Sequence, residues 1–502
     1  MTTEENSEKK EEVTTTTAIA SASSGRTEVY EKQKMYIRGD PAFEWVSPFS
    51  PDRVDPLVSK KVVEFPTRSE LKAVIPPHCF ERSLFWSFFY VIRDIVQGII
   101  VVYLTTQVFQ LSTEPPQFEE NASIATKVTA WLAWRLAWNI YAGVMAAAAG
   151  GLWVIGHECG HGAFSDYQWV NGLVGWTLHS AMLVPYFSWA FSHAKHHRRT
   201  NDMEDGETHV PCTYQDVGLL KQSTSAGTST YQRASMKQVQ EKMVGSGGLY
   251  QVLSNFFYAN AQLQEMMGDE FFSFCLLYFR LFFLFQFYLM GAKADGKVPK
   301  TKGNWEDHFR PQSDLFPPKM KWKVIASDIG CGITISILAV CSYFYGFRAV
   351  WFWYFGPYTH IHMFLVGVTW LQHTDPTIPH FDEQNWTWMV GALAGTIDRP
   401  MYGWVNYGSH NICTTHVVHH CFHTIPHYRA LEATKAIRDF LEPKGLYNYD
   451  PTPVEHACFK IAKRCHFVDS HTDGVQYYQS LMDVPKSTTT SAANTANKEK
   501  QN

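Results

Sequence analysis

The chain has 502 residues, of which 45% are hydrophobic, 15% aromatic and 18% charged, with a formal net charge of −4. An average soluble domain carries roughly 25% charged residues, so this chain is charge-poor, and its 17 Trp, 24 Tyr and 34 Phe exclude disorder over the whole length. Its 43 Lys and Arg are cancelled by 47 Asp and Glu, which excludes a broad electrostatic surface for nucleic acid.

Residues 1–33 are rich in Thr, Ser, Glu and Lys and predict a disordered tail without an apolar stretch of the secretory kind. A bilayer core about 30 Å thick needs about 20 mostly apolar residues in a helix. The runs 84–108 and 130–155 meet that length, the first despite Arg93 and Asp94 side by side, the second with tryptophans clustered toward one end. The run 171–191 is broken by Pro185 and is expected to lie along the surface. Residues 221–248 predict a polar loop. The run 271–290 is the most apolar but carries Arg280 at its centre, which is costly in lipid, so it is assigned to an interfacial or buried helix. The runs 325–345 and 350–372 complete the apolar set, and 481–502 predict a second disordered tail. Ten cysteines without a CxxC pair, several of them inside apolar runs, predict reduced packing thiols in a chain facing the cytosol.

Eight of the 22 histidines fall in three five-residue windows: His157/His161, His193/His196/His197 and His416/His419/His420. On a helix, residues i, i+3 and i+4 share a face, so each window points its imidazoles at one place. Eight imidazoles near one point repel one another once protonated and are tolerated as neutral metal ligands, which suit Fe, Zn, Cu or Ni. Eight ligands exceed the needs of one four-coordinate zinc and suit two metals. His157-Glu158-Cys159-Gly160-His161 also matches the H-E-x-x-H pattern of zinc proteases, but a protease leaves the other two windows unexplained.

A common site needs all three windows on one membrane face, so the number of crossings between His197 and His416 must be even. With 271–290 set aside, the runs 325–345 and 350–372 form one hairpin and 84–155 the other. The fold predicted is an all-α integral membrane protein, four transmembrane helices in two hairpins under a helical cap that spans the rest of 34–480. Both termini then lie on the metal side. His373 closes the last helix on that side and becomes a ninth candidate ligand, His380, seven residues on and after Pro379, is a weaker candidate, and His360 and His362, inside the run, are left out.

The stretches GHECGHGAFSDYQW (156–169), LHSAMLVPYFSWAFSHAKHHRRTN (178–201), WLQHTDPTIPHFD (370–382) and HNICTTHVVHHCFHTIPHYRALEATKA (410–436) resemble the membrane fatty-acid desaturase family, closest to its Δ12/ω-3 acyl-lipid branch. The resemblance implies a non-haem di-iron centre held by His157, His161, His193, His196, His197, His373, His416, His419 and His420, with Glu158 orienting imidazoles behind it. It implies insertion of a cis double bond, at Δ12 of oleoyl chains on a phospholipid, using O2 and two electrons. Other outcomes within the family are an ω-3 or bifunctional desaturase, a hydroxylase or an acetylenase. The chain has no HPGG haem-binding segment, so cytochrome b5 and its reductase are the donors implied, at the cytosolic face of the endoplasmic reticulum. Where an acyl-CoA branch of the family has an Asn four residues before the helix-ending histidine, this chain has Thr369.

Overall fold

A computed structural model describes residues 26–31, 59–223, 229–234, 260–291, 295–297 and 306–486. The rest of the two expected tails and of the 221–248 loop lies outside the described residues. A strand pair, β1 (Arg26–Glu31) with β2 (Ser59–Glu64), precedes α1 (Arg68–Val74), which opens on a Thr67/Glu70 capping box. A single 3-10 turn, Pro77–Phe80, leads into α2 (Leu84–Tyr103), which Ser83 caps and a π turn extends to Val108.

Helix α3 (Ile124–His161) has 38 residues, about 57 Å at 1.5 Å per residue, nearly twice a bilayer core. Its two halves differ accordingly. Ile124, Val128, Leu132, Leu136 and Ile140 are exposed apolar residues, as a lipid-facing surface requires, whereas Trp153 to Cys159 are buried in protein. Gly162, at φ +69°, ends the helix directly after His161 in the left-handed conformation that glycine adopts without strain.

Helices α4 (Gln168–Ala181) and α5 (Tyr186–Arg198) follow, with Pro185 at the break as expected. A hairpin of β3 (Leu219–Ser223) and β4 (Ser229–Arg233) leads to α6 (Ala261–Met267) and α7 (Asp269–Leu289). Helix α8 (Lys321–Tyr345) turns at Gly346 into residues 347–355, one helical turn and a π turn, and then α9 (Gly356–His373). The cap is completed by β5 (His380–Phe381) paired with β6 (Val475–Gln476), α10 (Trp388–Ala394), α11 (His416–Cys421), α12 (His427–Leu441) and α13 (Val454–Arg464). Leu481 and Val484 pack in one core with Phe272 and Phe467, so the folded chain runs past the boundary expected at 480.

Four described helical stretches are long and apolar enough to cross a membrane: Leu84–Val108, Ile124–His161, Asp269–Leu289 and Pro318–Tyr345. This set differs from the expected one, because α7 enters it and α9 does not. Helix α9 is less apolar, with His360 and His362 inside it, and much of it is buried in protein. Both ends of α7 contact cap-side elements. Glu270 pairs with Lys463 of α13 at 2.7 Å, and Tyr288 Oη donates to Ser192 Oγ of α5 at 3.1 Å. Arg280 lies over the Trp370 ring of α9, 4.9 Å from its centroid.

The charges inside α2 are also answered within the protein. Asp94 is buried, 2.6 Å from Arg93 and 2.8 Å from His410 Nε2. A side chain at Gly151 of α3 would sit 2.3 Å from Asp94 Oδ2, so glycine is what lets α3 approach this pair. On the cap side, Arg399 pairs with Asp450 and, at 2.6 Å, with Asp375 just beyond α9, while its Nε donates to Leu371 O at 2.6 Å. That cluster fixes the C-terminal end of α9, where His373 sits.

Candidate metal centre

Each histidine window sits where a helix ends or where a short helix is buried. His157 and His161 close α3, His193, His196 and His197 occupy the last turns of α5, His373 is the last residue of α9, and His416, His419 and His420 fill α11. The imidazoles meet in two groups. In the first, the ring nitrogens of His157, His161, His193, His197 and His419 all lie within 4.8 Å of one another. Nε2 of His157 is 2.9 Å from that of His193 and 3.2 Å from that of His161, and His193 is 3.1 Å from His197. The second group is His196, His373 and His420. His416 joins it, its Nε2 2.8 Å from His373 Nε2. The structure thus brings together all nine histidines singled out from the sequence.

Nitrogens packed this closely need a shared cation or proton between them. Nε2 of His419 and of His420 is buried without a hydrogen-bond partner among the described residues, as for donors that face a metal. Burial first, then neighbouring imidazoles, holds His193, His196, His197, His416, His419 and His420 well below the usual histidine value. Their lone pairs are therefore free at neutral pH. The donor set fits borderline first-row metals, and the two groups have the capacity for one ion each.

The second group is aimed from behind. His196 Nδ1 is 2.8 Å from Thr208 Oγ1, His420 Nδ1 is 3.0 Å from Thr200 Oγ1, and His373 Nδ1–H donates to Gly395 O at 3.0 Å. Fixing Nδ1 this way turns Nε2 toward the ion. None of these three partners was foreseen from the sequence. His209, whose ring stacks on His373 at 5.1 Å, and His423, 4.9 Å from the His161 ring, were missed too. His423 had a visible signal, since it lies three residues beyond His420 in the same histidine-rich stretch.

Glu158 requires a correction. It was expected to orient a ligand imidazole, but its carboxylate bonds His427 Nδ1 of α12 at 2.7 Å. Adjacent helical residues point about 100° apart, so the residue after His157 faces away from the ions. The same bond engages the group that a zinc protease needs as its base.

One cavity reaches both groups. His157, His193, His196, His373, His416 and His419 line it, and its other walls include Val154, Leu284, Phe285, Ile361 and Leu365. Thr369 lines it as well, its hydroxyl donating to Leu365 O at 3.0 Å. Apolar walls leading to nitrogen ligands suit a long apolar substrate and keep bulk water away from the ions.

Apolar helices of spanning length, two histidine clusters able to bind metal and an apolar cavity lined by members of both define a membrane protein built for metal-centred chemistry on an apolar chain. The family model described as fatty acid desaturase matches residues 129–220 and 255–451. The Delta(12)-fatty-acid desaturase of Arabidopsis thaliana is 35% identical over 411 residues, covering 81% of this chain and 88% of its own length. The endoplasmic-reticulum omega-6 fatty acid desaturase of Brassica juncea is 36% identical over 416 residues, 81% and 89% of the two chains. The Delta(12) acyl-lipid conjugase (11E,13E-forming) of Impatiens balsamina is 34% identical over 408 residues, with coverage of 81% and 89%. The chain belongs to the fatty acid desaturase family and is an oxidoreductase of that class.

Proposed function

We propose that this protein is a Δ12 acyl-lipid desaturase that converts oleoyl chains on phospholipid to linoleoyl chains. The observation that carries the reading is the convergence of nine imidazoles in two groups, six of which line one apolar cavity. His157, His161, His193, His197 and His419 would hold one iron, and His196, His373, His416 and His420 the other. Two irons bound there supply the O2-dependent oxidation in which adjacent methylenes lose two hydrogens and O2, with two electrons and two protons, becomes two waters. The chain's own residues position and protect. Thr200, Thr208 and Gly395 O orient ligands, and Ile361, Leu365 and Phe285 hold the acyl chain beside them and keep water out.

The hairpins α2–α3 and α8–α9 cross the membrane, α7 lies against the cap with Arg280 kept in protein, and the metal centre and both termini face the cytosol. The endoplasmic reticulum is the location named for the relative from Brassica juncea. The electrons come from cytochrome b5 and its reductase. The conjugase from Impatiens balsamina is almost as similar as the desaturases, and the chemical identity of the product separates the two activities.

The test is expression in a host that accumulates oleate and makes no linoleate, followed by gas chromatography of total fatty acids. Linoleate is expected, and His419→Ala is expected to abolish it while leaving the protein in the membrane. An unchanged profile with iron-loaded protein present overturns the Δ12 reading. Linolenate, a hydroxy or a conjugated product reassigns the outcome within the family.

A further inference from the structure

A third cluster of ligand-type side chains lies apart from the nine histidines, where the Pro77–Phe80 turn meets α12. His78, Cys79 and Glu432 each place one ligand atom within 4.8 Å of the others. His78 Nε2 is 2.8 Å from Glu432 Oε2, and the Cys79 thiol lies within 4.8 Å of both. Cys79 is fully buried, whereas the side chains of His78 and Glu432 are 43% and 50% exposed. The thiol thus faces the cluster from the protein side, and the cluster opens to solvent on the other.

We propose that His78, Cys79 and Glu432 form a third metal site, which takes one zinc ion with water as its fourth ligand and fastens the Pro77–Phe80 turn to α12. A sulfur, nitrogen and oxygen donor set in four-coordinate geometry is what zinc takes. Zinc bonds of about 2.0–2.3 Å set tetrahedral ligand atoms roughly 3.3–3.7 Å apart. That spacing lies within the separation found here and needs the His78–Glu432 contact to open by about half an ångström. Charge closes as well, since a thiolate and a carboxylate neutralise a divalent ion beside a neutral imidazole.

Without metal, burial pushes the Cys79 thiol up to about 11. Binding therefore expels the thiol proton to solvent, and affinity rises with pH. Arg429, one turn before Glu432, acts on both Cys79 and Glu432. Its charge favours the two anions and opposes the ion. The seam it borders matters to the centre. Beyond the turn, Ser83 N–H donates to Tyr428 Oη of α12 at 2.8 Å, and the next residue back, His427, holds Glu158.

The nine histidines include no thiolate, so sulfur-to-metal charge transfer separates this site from the histidine clusters, whatever metal they hold, and Cys79→Ser separates it from the other nine cysteines. The experiment titrates the purified full-length protein with Co2+ and follows near-ultraviolet absorption. A thiolate-to-cobalt band that saturates at one equivalent and is bleached by one equivalent of Zn2+ is expected. Cys79→Ser removes the band, and Glu432→Gln, a change at a solvent-open side chain that leaves the buried thiol in place, weakens Co2+ binding roughly tenfold or more. No band in the wild-type protein overturns the proposal, as does a band that Glu432→Gln leaves at full affinity. A band that survives Cys79→Ser belongs to another cysteine and overturns it equally.

Discussion

Replacing Thr208 by Val tests how the second metal position is held. The change keeps the side chain's shape and removes the hydroxyl that lies 2.8 Å from His196 Nδ1. His196 is buried, so its Nδ1–H is left without an acceptor, a cost of about 1–3 kcal/mol. Loss of the partner behind a metal-bound imidazole lowers metal affinity about 10–100-fold, or about 1.4–2.8 kcal/mol. The two figures are one bond seen by two assays and are not to be added. The assay is metal per chain under a graded chelator, together with linoleate formed per chain. One of two bound irons should leave at chelator concentrations about 10–100-fold lower than in the wild type, with product falling in parallel, and Thr208→Ser should restore both. Thr200→Val acts on His420 of the same group, so the double variant should lose less than the sum of the singles. Wild-type metal retention and product in Thr208→Val would refute the reasoning.

Gly151→Ala places a methyl 2.3 Å from Asp94 Oδ2 and 2.8 Å from His410 Nε2. Alanine gains about 1 kcal/mol in helix propensity, but parting the buried Asp94 carboxylate from its His410 hydrogen bond costs about 1–3 kcal/mol or more, so the thermal midpoint in detergent should fall, and a midpoint at or above the wild-type value counts against the packing described. His466 is buried and burial pushes it down to about 3, so its contribution is present above about pH 6.5 and is lost as pH falls toward 3, at about 1.4 kcal/mol per pH unit. His466→Gln should flatten the loss of stability between pH 6.5 and 4, and an unchanged slope in that window rules this account out.

The histidine windows were legible because their information is local. Spacings of three and four residues put imidazoles on one helix face before any tertiary contact is known, and His373 followed from counting crossings. What was not legible depends on direction and distance. Glu158 adjoins His157 in sequence and was read as serving it, yet it faces α12 and His427. Arg93 and Asp94 stand side by side inside an apolar run, while the group that answers Asp94, His410, is 316 residues away. Thr208 lies in a loop with no periodicity, and only the fold places it behind His196. Helices α7 and α9 exchanged places in the apolar count because hydropathy weighs residue types and not which side of each helix meets protein. Trp370 and His362 lower the apparent apolarity of α9 although both are buried.

The two histidine groups are supported by different means, and this decides how each responds to change. In the first, four of the five imidazoles come from i, i+4 pairs on α3 and α5, two helices joined by the edge-on contact of Trp153 with Trp189 at 5.2 Å. Nδ1 of His157 and of His197 is buried without a hydrogen-bond partner among the described residues, so helix packing alone sets these rings. In the second group, α5, α9 and α11 contribute His196, His373, His416 and His420, and the rings of His196, His373 and His420 are each turned by a partner from outside their own helix, Thr208, Gly395 O and Thr200. His373 reaches this group only because the Arg399 cluster holds the end of α9. A displacement of α9 therefore moves a ligand of the second group and none of the first, whereas a displacement of α3 does the reverse.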